Sequence, residues 1–140
     1  MYQQPFLIFA LFTTFSMTGY ADQKSEIAAE YKNFRQIEAR FFSAKITKEN
    51  FAGQATSMIS ALNTSFEKVK VIEARSEDIV LSVEGNQMAY DLEILSPLID
   101  LAKVGITPKT CKEAVHDNQF NKAKDSDAKE ITDLLKKICT

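Results

Sequence analysis

The chain has 140 residues, enough for one domain, with 17 basic and 19 acidic side chains and a net charge of −2. That balance excludes the basic footprint of a nucleic-acid binder and the polybasic patch of a membrane-surface protein. One histidine, two cysteines and four glycines leave no material for a histidine-rich metal cluster or a phosphate-cradling glycine loop.

Residues 1–21 carry no Asp, Glu, Lys or Arg. Pro5 to Gly19 is an apolar run, shorter than the ~20 residues a membrane-spanning helix needs. It ends in Gly19-Tyr20-Ala21, small residues at the positions a signal peptidase reads, and charge begins at Asp22. The pattern predicts a secretory signal cleaved after Ala21, although the leading Met1-Tyr2-Gln3-Gln4 supplies no basic side chain. Residues 22–140 are then the single mature domain, periplasmic or secreted, with no stable membrane insertion after cleavage.

From Ser25 to Ala44 the residues Ile27, Tyr31, Phe34, Ile37 or Glu38, and Phe41 recur every three to four positions, which predicts a helix with one apolar stripe. Thr47 is a natural N-cap, and a second helix follows with Phe51, Ala55, Met58 or Ile59, and Leu62 on one side. The connection is short enough to make the two an antiparallel pair. Lys68-Val69-Lys70-Val71-Ile72 alternates and is β-branched, so it reads as a strand.

Ile79 to Ile94 reads as a β-hairpin around Gly85-Asn86. Pairing across that turn sets Val83 opposite Met88, Leu81 opposite Tyr90 and Ile79 opposite Leu92, all apolar and all on one face. Glu84, Gln87, Ser82, Ala89, Val80 and Asp91 fall on the other. The expected fold class is therefore α+β: a three-stranded antiparallel meander over about residues 67–95, covered by the N-terminal helix pair and by C-terminal helices. The alternative is an all-α up-down four-helix bundle, in which Ser76-Glu77-Asp78 starts one helix running to Val104. That arrangement places Gly85 and Pro97 inside a helix, at costs of about 1 and 3 kcal/mol.

Ser96-Pro97 starts a helix that Gly105 ends, and Thr107-Pro108 starts the next. Asn118 to Ser126 is polar and reads as a loop. A last helix begins at Ser126 or Asp127, with Ile131, Leu134, Leu135 and Ile138 as its stripe. Cys111 and Cys139 are the two cysteines, and in an exported chain an even pair predicts one disulfide joining these last two helices.

No catalytic, cofactor-binding or metal-binding residue is assigned. His116 is the sole histidine, and Cys111 sits roughly 140° away around a helix, so no Cys-His pair forms. A histidine at a helix C-terminus needs no further role than a favourable dipole contact. Asp125-Ser126-Asp127 lacks the glycine and terminal glutamate of a calcium loop and reads as a helix cap. Glu73, Glu84, Asp91 and Glu93 read as a solvated sheet face, with a carboxylate hydrolase as the less favoured reading. Asn63-Thr64-Ser65 is a glycosylation sequon, relevant only in a eukaryotic host. In size and helix density alone the chain resembles the cytochromes b562. It lacks the Met near the mature start and the His near the C-terminus that such a haem site requires, so no family is assigned and no cofactor is expected.

The functional expectation is a non-enzymatic interaction protein of the cell envelope, such as an inhibitor, an immunity-type protein or an assembly accessory factor. Its partner is then another envelope or secreted protein, and the residues to test first are Tyr31, Arg35, Arg40, Arg75 and Phe120. The alternative is a carrier of a small apolar ligand held between Phe34, Phe41, Phe42, Phe51 and Phe66.

Overall fold

The computed structural model describes residues 3–75, 83–122 and 127–140. Six helices account for them: α1 (Gln3–Ser43), α2 (Phe51–Ala74), α3 (Val83–Ile94), α4 (Ser96–Val104), α5 (Pro108–Lys122) and α6 (Asp127–Ile138). No described residue lies in a strand, which overturns the α+β meander and places the chain in the all-α class.

The long pair α1–α2 forms the backbone of the fold. The inward positions of α1 are Ile27, Tyr31, Phe34, Glu38 and Phe41; those of α2 are Phe51, Ala55, Met58, Leu62, Ser65, Val69 and Ile72. Both sets alternate steps of four and three, the seam of an antiparallel coiled coil. Lys68 to Ile72, expected as a strand, continues this seam: Val69 and Ile72 are buried, while Val71 is 54% exposed. The bend between the helices is tied reciprocally. Thr47 N–H donates to Asn50 Oδ1 at 2.7 Å, and Asn50 N–H donates to Thr47 Oγ1 at 3.2 Å.

The expected hairpin is the largest correction. Ile79 to Ser82 lie outside the described residues, but Val83 to Ile94 is helix, with Gly85, Met88, Asp91 and Ile94 buried at three-residue intervals. Val83, assigned to the core face of the hairpin, is 81% exposed. Gly85-Asn86 is therefore helix interior and not a turn. The ~1 kcal/mol that glycine costs there is outweighed by burying Met88 and Ile94. The bundle alternative also needs amendment. Its single helix from Glu77 to Val104 is broken at Leu95, and Pro97 falls in the first turn of α4, where its missing N–H breaks no helical bond.

Gly105 ends α4 with φ 88°, in the region only glycine enters freely. Thr107 and Thr110 then close the start of α5: Thr107 Oγ1 accepts the Thr110 N–H at 3.1 Å, and Thr110 Oγ1 donates to Gly105 O at 2.6 Å. The expected loop from Asn118 is helical as far as Lys122, because Asn118 is buried and its Nδ2 donates to Thr132 Oγ1 on α6 at 2.8 Å. Cys111 and Cys139 are bonded, with Cα atoms 5.7 Å apart. They fasten the start of α5 to the end of α6. The core is continuous, with Phe34, Phe51, Leu62, Val69, Met88, Leu98 and Ile131 fully buried.

Candidate functional site

The expected carrier cavity would have been lined by phenylalanines. Phe34, Phe41 and Phe51 instead fill the core, and Phe42 and Phe66 lie partly buried at its edge. His116 stands on the exposed side of α5, mid-helix and not at its end, with Nδ1 3.5 Å from Asp117 Oδ1 and its ring edge-on to Phe120. It meets no nucleophile, and Cys111 is spent in the disulfide. Among the described residues no group of three His, Cys, Asp or Glu side chains is arranged to hold a metal ion. The carboxylates expected on a polar sheet face are split between two helices: Glu73 is half-buried on α2, while on α3 Glu84 is half-buried, Glu93 is exposed and Asp91 alone is buried.

Two features stand out. The first is a charge cluster where α1, α3 and α6 meet. Arg35 Nη1 donates to Asp91 Oδ2 at 3.0 Å and to Asp127 Oδ2 at 3.2 Å, and lies 3.5 Å from Glu38 Oε2. Gln87 Nε2 donates to Asp91 Oδ1 at 2.9 Å. The side chains of Glu38 and Asp91 are 8% and 2% exposed, and Glu38 Oε1 is buried with no hydrogen-bond partner. Burial, reinforced by the charge of Asp91 and opposed by Arg35, pushes the Glu38 carboxyl up to about 8. Burial also raises Asp91, against the bond from Gln87 and the charge of Arg35. Tyr31, beside them, is raised mainly by burial. Burial works against the charge of Arg35, but Glu38, Asp127 and Asp91 outweigh it and hold the guanidinium protonated. The cluster gathers three carboxylates from three helices around one cation.

Sequence reasoning missed this cluster. It offered Arg35 only as an exposed binding residue and read Asp91 as solvated. The available signal was Glu38, a carboxylate at an inward step of the α1 stripe, where a charge demands a partner.

The second feature is a groove of about 950 Å³ between α1 and α2. Ala29, Val71 and Ile72 form its apolar floor. Glu26, Glu30, Ser60, Asn63, Thr64, Glu67, Lys68 and Arg75 form its rim. Lys68 Nζ lies 3.6 Å from Glu30 Oε1, and Glu67 is held by Lys70 at 2.8 Å. Arg75 is exposed and makes no ion pair among the described residues. Ser65 anchors the wall by donating to Glu30 Oε2 at 2.9 Å.

Among the described residues no helix is long and apolar enough to cross a membrane. No protein-family model matches the chain, and no curated protein or solved structure matches it.

Proposed function

We propose that this protein acts by binding and not by turnover, and that it carries a small apolar ligand in the α1–α2 groove. The groove is the observation that carries the reading: an apolar strip of Ala29, Val71 and Ile72 between charged rims, with Arg75, which makes no ion pair among the described residues, at one end of the lining sequence. A single acyl chain along the strip, with its anionic head at Arg75, matches that distribution of charge. The predicted export fits the same picture. The first described side chain of α1 in the core is Ile27, so a cut after Ala21 removes none of the described core. The Cys111–Cys139 bond is compatible with an extracytoplasmic location. Protein recovered from its host is then expected to begin at Asp22, and an intact mass retaining residues 1–21 argues against export by cleavage.

The test is a titration of the purified protein with laurate below its micelle concentration, followed by amide chemical shifts. Shifts are expected to concentrate on Ala29, Val71 and Arg75. Val71→Glu places a charge on the groove floor at a half-exposed site, and is expected to weaken binding at least tenfold without unfolding the helix pair. Shifts scattered over the surface, or binding undiminished in Val71→Glu, would refute the carrier.

One observation favours a second reading, a protein partner in the envelope. Phe120 is 68% exposed on α5, and exposed aromatics are common anchors of protein interfaces. Phe120→Ala is then expected to abolish capture of that partner at unchanged melting temperature.

A further inference from the structure

We propose that Glu38, Arg35, Asp91 and Asp127 form a proton-operated latch, which holds α3 and α6 on α1 while Glu38 is protonated and loosens when it ionises. The geometry comes first. Three carboxylates from three helices converge on one guanidinium nitrogen, all within 3.5 Å of it. One cation balances one carboxylate outright and a second in part, and the third is accommodated most readily as the neutral acid. Glu38 is the member suited to hold that proton. It is the most confined after Asp91, its Oε1 has no hydrogen-bond partner, and Asp91 converges with it on the same guanidinium nitrogen.

The groups facing Glu38 are few. Tyr31 and Arg35 come from its own helix, Gln87 and Asp91 from α3, and Asp127 from α6. The buried residues of α2, packed on the same helix, carry no charge. Ionising Glu38 therefore sets a second buried anion against Asp91, with Arg35 already committed to Asp91 and Asp127. The element with most to lose is α3. Asp91 is its one buried charged residue, and it is held by the same guanidinium.

The sign of the effect is fixed. Glu38 titrates at about 8 in the folded protein, against 4.5 as an ordinary glutamate, so folding takes up a proton between those values. The stabilisation is fully present below the lower value and is lost as pH rises through the upper one. Asp91, also raised, acts in the same direction.

The test uses the purified protein with 13C-labelled glutamate carboxyls. The Glu38 resonance is expected to titrate above pH 7, well apart from the other glutamates. Melting temperature is expected to fall by roughly 3–6 °C per pH unit between pH 5 and 8, and amide protection of Val83 to Ile94, corrected for intrinsic exchange, is expected to fall over the same interval. Glu38→Gln keeps the shape and cannot ionise, so both trends should flatten. A Glu38 midpoint below pH 5.5 overturns the latch, as does α3 protection that is equal at pH 6 and pH 9. The wild-type titration decides the matter even if the variant does not fold.

Discussion

Reducing the Cys111–Cys139 bond is the cleanest single perturbation of this fold. The cysteines are 28 positions apart, so the bond closes a ring of 29 residues counting both ends. Chain entropy assigns a ring of that size about 3–4 kcal/mol, through the conformations it removes from the unfolded chain. For a domain of this length, each kcal/mol corresponds to roughly 3–4 °C of melting temperature, so reduction should lower the midpoint by about 10–15 °C. The helices themselves should persist. Asn118 still bonds Thr132 at 2.8 Å, and Ala114, Ile131 and Leu135 remain buried in the core. The assay is thermal unfolding followed by far-ultraviolet circular dichroism, with and without a phosphine reductant. A double Cys111→Ala, Cys139→Ala variant serves as control. Reductant should not affect that variant, and it should melt near the reduced wild type. A shift under about 3 °C on reduction would refute the reasoning, because the ring would then not constrain the unfolded state.

Arg35→Met removes the one cation of the cluster. It is expected to cost about 2–3 kcal/mol at pH 8 by urea titration, less than a sealed ion pair because the guanidinium is partly exposed. At pH 5 the cost should shrink, since Glu38, pushed up to about 8 by burial, then carries a proton and needs the cation less. A cost that grows on acidification contradicts the assignment. Asn118→Ala should lower stability by about 1–2 kcal/mol by losing its tie to α6, measured by the same titration. His116→Ala, at an exposed site, should change stability by less than about 0.5 kcal/mol and leave ligand binding intact; loss of binding in this variant points to a role for the imidazole.

The parts of the fold legible in the sequence are those fixed by neighbours along the chain. Pro97, Gly105 and the Thr107-Pro108 start all act within five residues, and each marks the helix boundary its chemistry predicts; Thr47, expected as the N-cap of α2, instead closes a turn with Asn50, which takes the cap position itself. The α6 stripe is equally local: Ile131, Leu134, Leu135 and Ile138 are all buried. The misreadings trace to the buried polar residues, Glu38, Ser65, Asp91 and Asn118. Each interrupts an apolar stripe as seen from sequence, and each is satisfied or constrained from another helix. Ser65 breaks the α2 pattern just before Lys68 to Ile72, and its partner Glu30 lies 35 residues back. Asp91 breaks the α3 pattern, which let the alternation of Val83, Met88, Tyr90 and Leu92 look like a strand; its partner Arg35 is 56 residues away. Asn118 made α5 look finished five residues early, because Thr132 was not visible from it. The candidate cluster was hidden for the same reason: the contacts that bring its helices together, Arg35 to Asp91 and to Asp127, span 56 and 92 residues.

The bond between Cys111 and Cys139 also decides how the molecule responds to being cut. Most of α5, all of α6 and residues 123–126 between them lie inside the ring. One proteolytic nick anywhere from residue 112 to residue 138 breaks the backbone without releasing either piece. The severed C-terminal segment stays tethered beside α5, at an effective concentration that favours its re-docking. Such a protein would migrate as a single species until reduced, so a nicked population in an oxidising compartment could persist and function while looking intact.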